Sequence, residues 1–168
     1  MSDFRLASFD EKALLSYGKV LGRNYYWKVF ASENILRIVI NSVLSVQVDA
    51  DWWLKVVDHD IVCDAKDVRQ NYLSAIPSRD PGRHGIYCTY LSRLERILFK
   101  NRGSFIYYLP NVDDLIVSLN AVLLPRNLMG HMNHLTESDR RKIGELYGLC
   151  ENAVDRLKKT TNIQLKYP

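Results

Sequence analysis

Cysteine is scarce: Cys63, Cys88 and Cys150 lie far apart and form no C-x-x-C pair. That excludes a disulfide framework and a zinc ribbon, and predicts reduced thiols in the core or at the surface. Turn formers are scarce too. Eight glycines and five prolines in 168 residues are too few for a many-stranded sandwich or barrel, which favours helices. No uncharged apolar run reaches the about 18 residues of a membrane span. The start, MSDFRLASFDEK, has no basic segment leading into an apolar stretch. The expectation is a soluble, cytoplasmic protein with no membrane partner. Finally, there is little excess charge of either sign. Twenty-three Lys plus Arg against 19 Asp plus Glu leave +4, which argues against coating a nucleic acid with a strongly basic surface but leaves room for a local anion site.

What is present is an ordinary globular composition, 47% hydrophobic and 25% charged. One core is expected for this length, with residues 1–24 as an N-terminal helical extension and 25–168 as one folded unit. Ser8 and Glu11 have capping-box spacing before a helix over about 9–21 that closes around Gly22. From Asn24 to Val48 there is no Pro or Gly, and Tyr25, Val29, Ile35, Val39, Val43 and Val46 recur at helical steps. Asp49 or Asp51 suits the cap of a short helix bearing Trp52 and Trp53, and a weaker helical pattern covers 59–75. The stretch 77–85 concentrates Pro and Gly into a loop, with His84 and Arg83 expected on a mobile turn. Leu91, Leu94, Ile97 and Leu98 form another stripe, which ends in a basic turn with a stop at Gly103. Asn111 is expected to cap a helix through Leu124, and Thr136 with Asp139 opens the last helix, to Lys159. The sum is an all-α bundle of five to seven helices.

The stretch most able to carry chemistry is LLPRNLMGHMNHL, 123–135. Pro125 suits the first position of a new helix, which would put Arg126 and Asn127 in a first turn that favours phosphate. Asn127, His131 and His134 then fall at i, i+4 and i+7 on one side. Arg126 and His131, five residues apart, would point about 140° apart on an ideal helix, so they meet at one phosphate only if Arg126 bends back or two chains contribute. The bland readings are a cap or surface role for these residues, and a metal pair of His131 and His134 with Glu137 that lacks a third firm ligand. Glu33 and Arg37 are an i, i+4 pair that ordinarily supports a solvated helix face by about 0.3–0.5 kcal/mol. Trp52 and Trp53 are expected in core or interface packing ahead of base stacking.

Arg126-Asn127-x3-His131 resembles the motif of the HEPN family, the higher-eukaryote and prokaryote nucleotide-binding helical domains, many of which are metal-independent endoribonucleases. Arg79 and His84 share the looser Arg-x4-His spacing. Requiring Asn after the Arg lowers the chance expectation from roughly 0.3 to about 0.02 occurrences in this composition. Glu33-Asn34-Ile35-Leu36-Arg37 and the Trp52-Trp53 pair also look like one HEPN subgroup, so the likeness spans about 25–160. It implies a HEPN-like bundle that cleaves RNA by 2′-hydroxyl attack and leaves a cyclic phosphate. His131 would be the general acid and base, and Arg126 would stabilise the phosphate. Asn127, His134, Glu33 and Arg37 would support the site or touch RNA, with no metal or other cofactor. It further implies a homodimer that brings two motifs together, and a toxin, defence or RNA-processing role with an antitoxin or other protein partner. Antitoxin-modified members carry a Tyr two residues after the His; here that position is Asn133, which argues against such modification. The alternative is a non-catalytic HEPN module binding RNA, a nucleotide or a protein.

Overall fold

The computed structural model describes residues 10–75, 80–131, 133–159, 163–166 and 168. Among them every regular element is helical, so the chain is an all-α bundle. The elements are α1 (Glu11–Leu21), a π-turn (Gly22–Tyr26), α2 (Trp27–Gln47), α3 (Trp52–Val56), α4 (His59–Ala75), a 3-10 turn (Gly85–Cys88), α5 (Leu91–Lys100), α6 (Arg102–Phe105), α7 (Val112–Gly130) and α8 (Glu137–Lys159). Helix α2 is the central rod. It buries Leu36, Val39, Ile40, Val43 and Leu44, and packs chiefly against α8, with α5 and α6 beside it.

Gly22 does not close the first helix. It sits at φ −62, and its amide donates to the carbonyls of Gly18 and Lys19, so the chain stays helical from Glu11 to Gln47. A glycine stops a helix by turning left-handed, and this one does not. The π-turn inserts a residue instead, which rotates later side chains by about 100° relative to α1. Tyr25 then packs on the core while Tyr26 and Trp27 face outward. Ser8 lies outside the described residues; the side chain of Asp10 caps α1 by accepting from the Ala13 amide at 3.1 Å. Of the stripe expected on α1 only Tyr17 is buried, and Leu14 stays 42% exposed because no described element packs over that face. The 18-residue window of this continuous helix that is apolar enough to cross a membrane has half its residues buried within the bundle.

Two further expectations give way. Asn111 precedes α7 without a side-chain cap, so the early carboxylates Asp113 and Asp114 are what complement the helix dipole. Gly103 does not stop α5, because Asn101 caps it and Gly103 lies within α6. The cap of α8 follows the sequence: the Thr136 amide donates to Asp139 Oδ2 at 2.9 Å and the Asp139 amide donates to Thr136 Oγ1 at 3.2 Å. Cys88 and Cys150 are buried and Cys63 is half-buried, and burial pushes the Cys150 thiol up to about 12.

His84 is half-buried between Trp52 and Trp53, with ring centroids 5.2 and 5.3 Å away, and its Nδ1 accepts from the Ile86 amide. It is a packed cap of the 3-10 turn rather than part of a mobile loop; Arg79 lies outside the described residues. Trp52 is fully buried and donates to Asn41 Oδ1 at 3.1 Å, while Trp53 covers Gly85. The tryptophan pair is therefore packing. A Cβ on Gly85 would meet Trp53 Cζ2 at 2.5 Å. Gly85→Ala is expected to cost about 1–3 kcal/mol in urea unfolding. Gly18→Ala, with nothing within 4 Å of the new methyl, should be neutral or stabilising, and equal effects would contradict this packing. Burial also lowers the His84 pKa from 6.5, so the folded state favours the neutral ring. The associated stability is complete above the ordinary value and is lost as pH falls toward the lowered one. His84→Asn, which keeps an acceptor for Ile86, should therefore lose less stability between about pH 7 and 5 than the parent.

Candidate phosphate site at the end of helix α7

Helix α7 continues through Pro125 to Gly130. Proline costs about 3 kcal/mol inside a helix, but here it is buried among Leu119, Val122 and Met129 on the face that packs in the bundle, and that burial offsets the penalty. The expected fresh helix start at Pro125 does not exist. Arg126 and Asn127 therefore lie in the last turns, where unpaired carbonyls replace unpaired amides, and the dipole there does not favour an anion. Any phosphate affinity must come from side chains.

Arg126 supplies it. Its Nε donates to Glu33 Oε1 at 3.1 Å, across from the middle of α2, while its other guanidinium nitrogens have no partner among the described residues. A Cβ on Gly130 would sit 4.0 Å from Arg126 Nη1, so the guanidinium lies along the helix next to Gly130. Glu33 is itself clamped: Arg37 Nη2 donates to its Oε2 at 3.5 Å. Arg37 is fixed in turn, with Nε on the Ile86 carbonyl at 3.2 Å and Nη2 on the Thr89 carbonyl at 3.1 Å. The Arg37 and Glu33 side chains are only 12% and 14% exposed, so this face is not the solvated helix surface expected from the i, i+4 spacing. It is a half-buried clamp with two cations and one carboxylate, and only Arg126, at 35%, opens to solvent.

The histidines separate. His131 is the exposed C-cap of α7, its amide bonded to the Asn127 carbonyl at 3.0 Å. Asn127 is exposed beside it. His134 lies beyond the helix end in the connection to α8, so Asn127, His131 and His134 do not form one helical face. His134 is 7% exposed and stacks on Tyr17 of α1 at 4.5 Å and 11°. The Tyr17 hydroxyl also accepts from the Leu135 amide at 2.6 Å. His134 thus holds the connection in place and is buried away from RNA, contrary to the expectation that it shares a helix face with Asn127 and His131 and touches RNA. No cluster of three or more His, Cys, Asp or Glu suited to a metal exists among the described residues, so His131, His134 and Glu137 are not assembled.

A pocket of about 170 Å³ opens at Arg126, lined also by Tyr26, Val29, Phe30, Glu33 and Met129. Gly130 also lines it, but His131, the next residue, does not. The sequence reading missed Tyr26 and Phe30. Their signal was an i, i+4 aromatic pair, but which face it took depended on the unforeseen π-turn. Glu33 and Arg126 had each been singled out, 93 residues apart, with nothing local to pair them.

The clamp sets a stability test. Glu33→Ala leaves two guanidinium groups without their shared acceptor, so it should destabilise more than Arg126→Ala. In a double-mutant cycle read by urea unfolding, the two changes should couple by between about 0.5 and 3 kcal/mol. Additivity would contradict the contact.

No family model, curated protein or solved structure matches the chain.

Proposed function

We propose that the chain is a metal-independent endoribonuclease of HEPN type, with Arg126 stabilising the phosphate and His131 as general acid and base. The observation that carries this reading is Arg126 itself. Glu33 holds its Nε, and its guanidinium lines an open pocket that reaches Gly130, the residue before His131. A permanent, forked cation held from behind suits the phosphate oxygens, where charge accumulates in transfer. The exposed imidazole of His131 can take the ribose 2′-hydroxyl proton or protonate the leaving oxygen. Cleavage by that route leaves a cyclic phosphate and needs no metal ion. Glu33 and Arg37 act through Arg126 as positioning residues. The HEPN resemblance supplies the family in this proposal and also the homodimer, in which the partner's motif completes each site. A toxin, defence or RNA-processing role belongs to the same proposal.

A second reading, a non-catalytic HEPN module that binds RNA, a nucleotide or a protein, is favoured by one observation. The His131 imidazole has no hydrogen-bond partner among the described residues to orient it. Incubating the pure protein with RNA in excess EDTA separates the two. The nuclease reading predicts cleavage that falls by at least about 100-fold in folded His131→Ala, the scale of a lost general base. Mixing Arg126→Ala with His131→Ala chains should then restore part of the activity if sites are shared between protomers. Binding without cleavage by the parent protein would favour the module instead.

A further inference from the structure

Tyr26 and Phe30 are 60% and 65% exposed, one turn apart, on the stretch of helix that the π-turn rotates outward. Both line the pocket into which Arg126 projects, while Trp27 between them is partly covered by an edge-on contact with Tyr147 at 4.9 Å. Large exposed rings are costly to keep in water unless something covers them. Several features of this patch select the occupant. An apolar partner laid over the rings would bury the remaining donors of Arg126 without acceptors, at the cost of an unsatisfied polar group. The charges that line the pocket are Arg126 and one carboxylate, Glu33, which is already held by Arg37 and Arg126. The opening, about 170 Å³, has the scale of a single planar ring system rather than a helix or strand. A flat aromatic group carrying a phosphate satisfies all of these together.

We propose that Tyr26 and Phe30 form a base-stacking subsite, which seats an unpaired nucleobase of RNA while Arg126 grips the phosphate attached to that nucleotide. This rests on the nuclease reading for the identity of the phosphate and deepens it, because it makes the substrate single-stranded: a base held in a duplex cannot turn its face to the rings. Stacking on aromatic side chains tolerates any base, so the subsite selects strandedness rather than sequence.

The test is binding to short 2′-O-methyl RNA, which lacks the attacking hydroxyl and reports occupancy apart from cleavage. Fluorescence anisotropy compares a labelled single strand, the same strand in a duplex, and a strand of the same length with abasic positions. The parent should bind the single strand at least about tenfold tighter than the other two, and Phe30→Ala and Tyr26→Ala should each weaken it by about tenfold, leaving the abasic affinity unchanged. Phe30→Tyr should restore binding. Both side chains are exposed, and unchanged circular dichroism checks that the alanine variants fold. Equal affinity for single strand and duplex, no binding by the parent, or no loss in either alanine variant would overturn the proposal. So would a parent dimer that sediments as a monomer in Phe30→Ala, because the rings would then belong to an interface between copies. The two proposals fail separately: ring-dependent binding without cleavage of ordinary RNA removes the nuclease and keeps the subsite. Cleavage in EDTA that is indifferent to both rings removes only the subsite.

Discussion

The carboxylate of Glu33 is the point on which the candidate site depends. It is almost withdrawn from water, and a charge in that position is tolerated only when its partners are fixed. One partner, Arg37, is tied to two backbone carbonyls around the 3-10 turn, so the carboxylate is anchored to the bundle rather than to a flexible chain. The other, Arg126, is thereby held at one nitrogen and left with donors to spend. The ion pair adds modest stability by itself. Its larger consequence is geometric, since a long side chain at a helix end, which would otherwise sample many rotamers, is pinned against the pocket wall.

A second constraint is the π-turn over Gly22–Tyr26. It keeps α1 and α2 as one rod and changes the phase between them. In α1 the buried residue is Tyr17, which seats the connection through His134 and Leu135; in α2 the buried stripe faces α5, α6 and α8. Without the added residue one apolar stripe would have to serve both. The bulge also turns Tyr26 outward beside Arg126. The helix that closes over the end of α7 and the rings at the pocket mouth are thus products of one local irregularity.

The helices with strong periodicity or matched caps were legible in the sequence, because α2, α5 and α8 bury regular stripes and the Thr136–Asp139 exchange is local. Proline and glycine misled for different reasons: Pro125 is buried inside α7, where packing offsets its penalty, whereas Gly22 is exposed and simply keeps right-handed helical angles within a continuous helix. At the site, Arg126 was recognised through its neighbours in sequence, and Glu33 through its spacing from Arg37. Their contact was not legible, since it is set by how α2 and α7 pack. His134 was misassigned for a related reason: helical spacing places three side chains together only while the helix lasts, and α7 ends at Gly130.

In the proposed reaction Arg126 and His131 act on an RNA phosphate through the neighbouring 2′-hydroxyl. The most direct measurement is the chemistry of the new ends, read by mass spectrometry of fragments formed in EDTA. Attack by the 2′-hydroxyl predicts a 2′,3′-cyclic phosphate on one fragment and a 5′-hydroxyl on the other. Fragments ending in 3′-hydroxyl and 5′-phosphate, or RNA left intact, would contradict it.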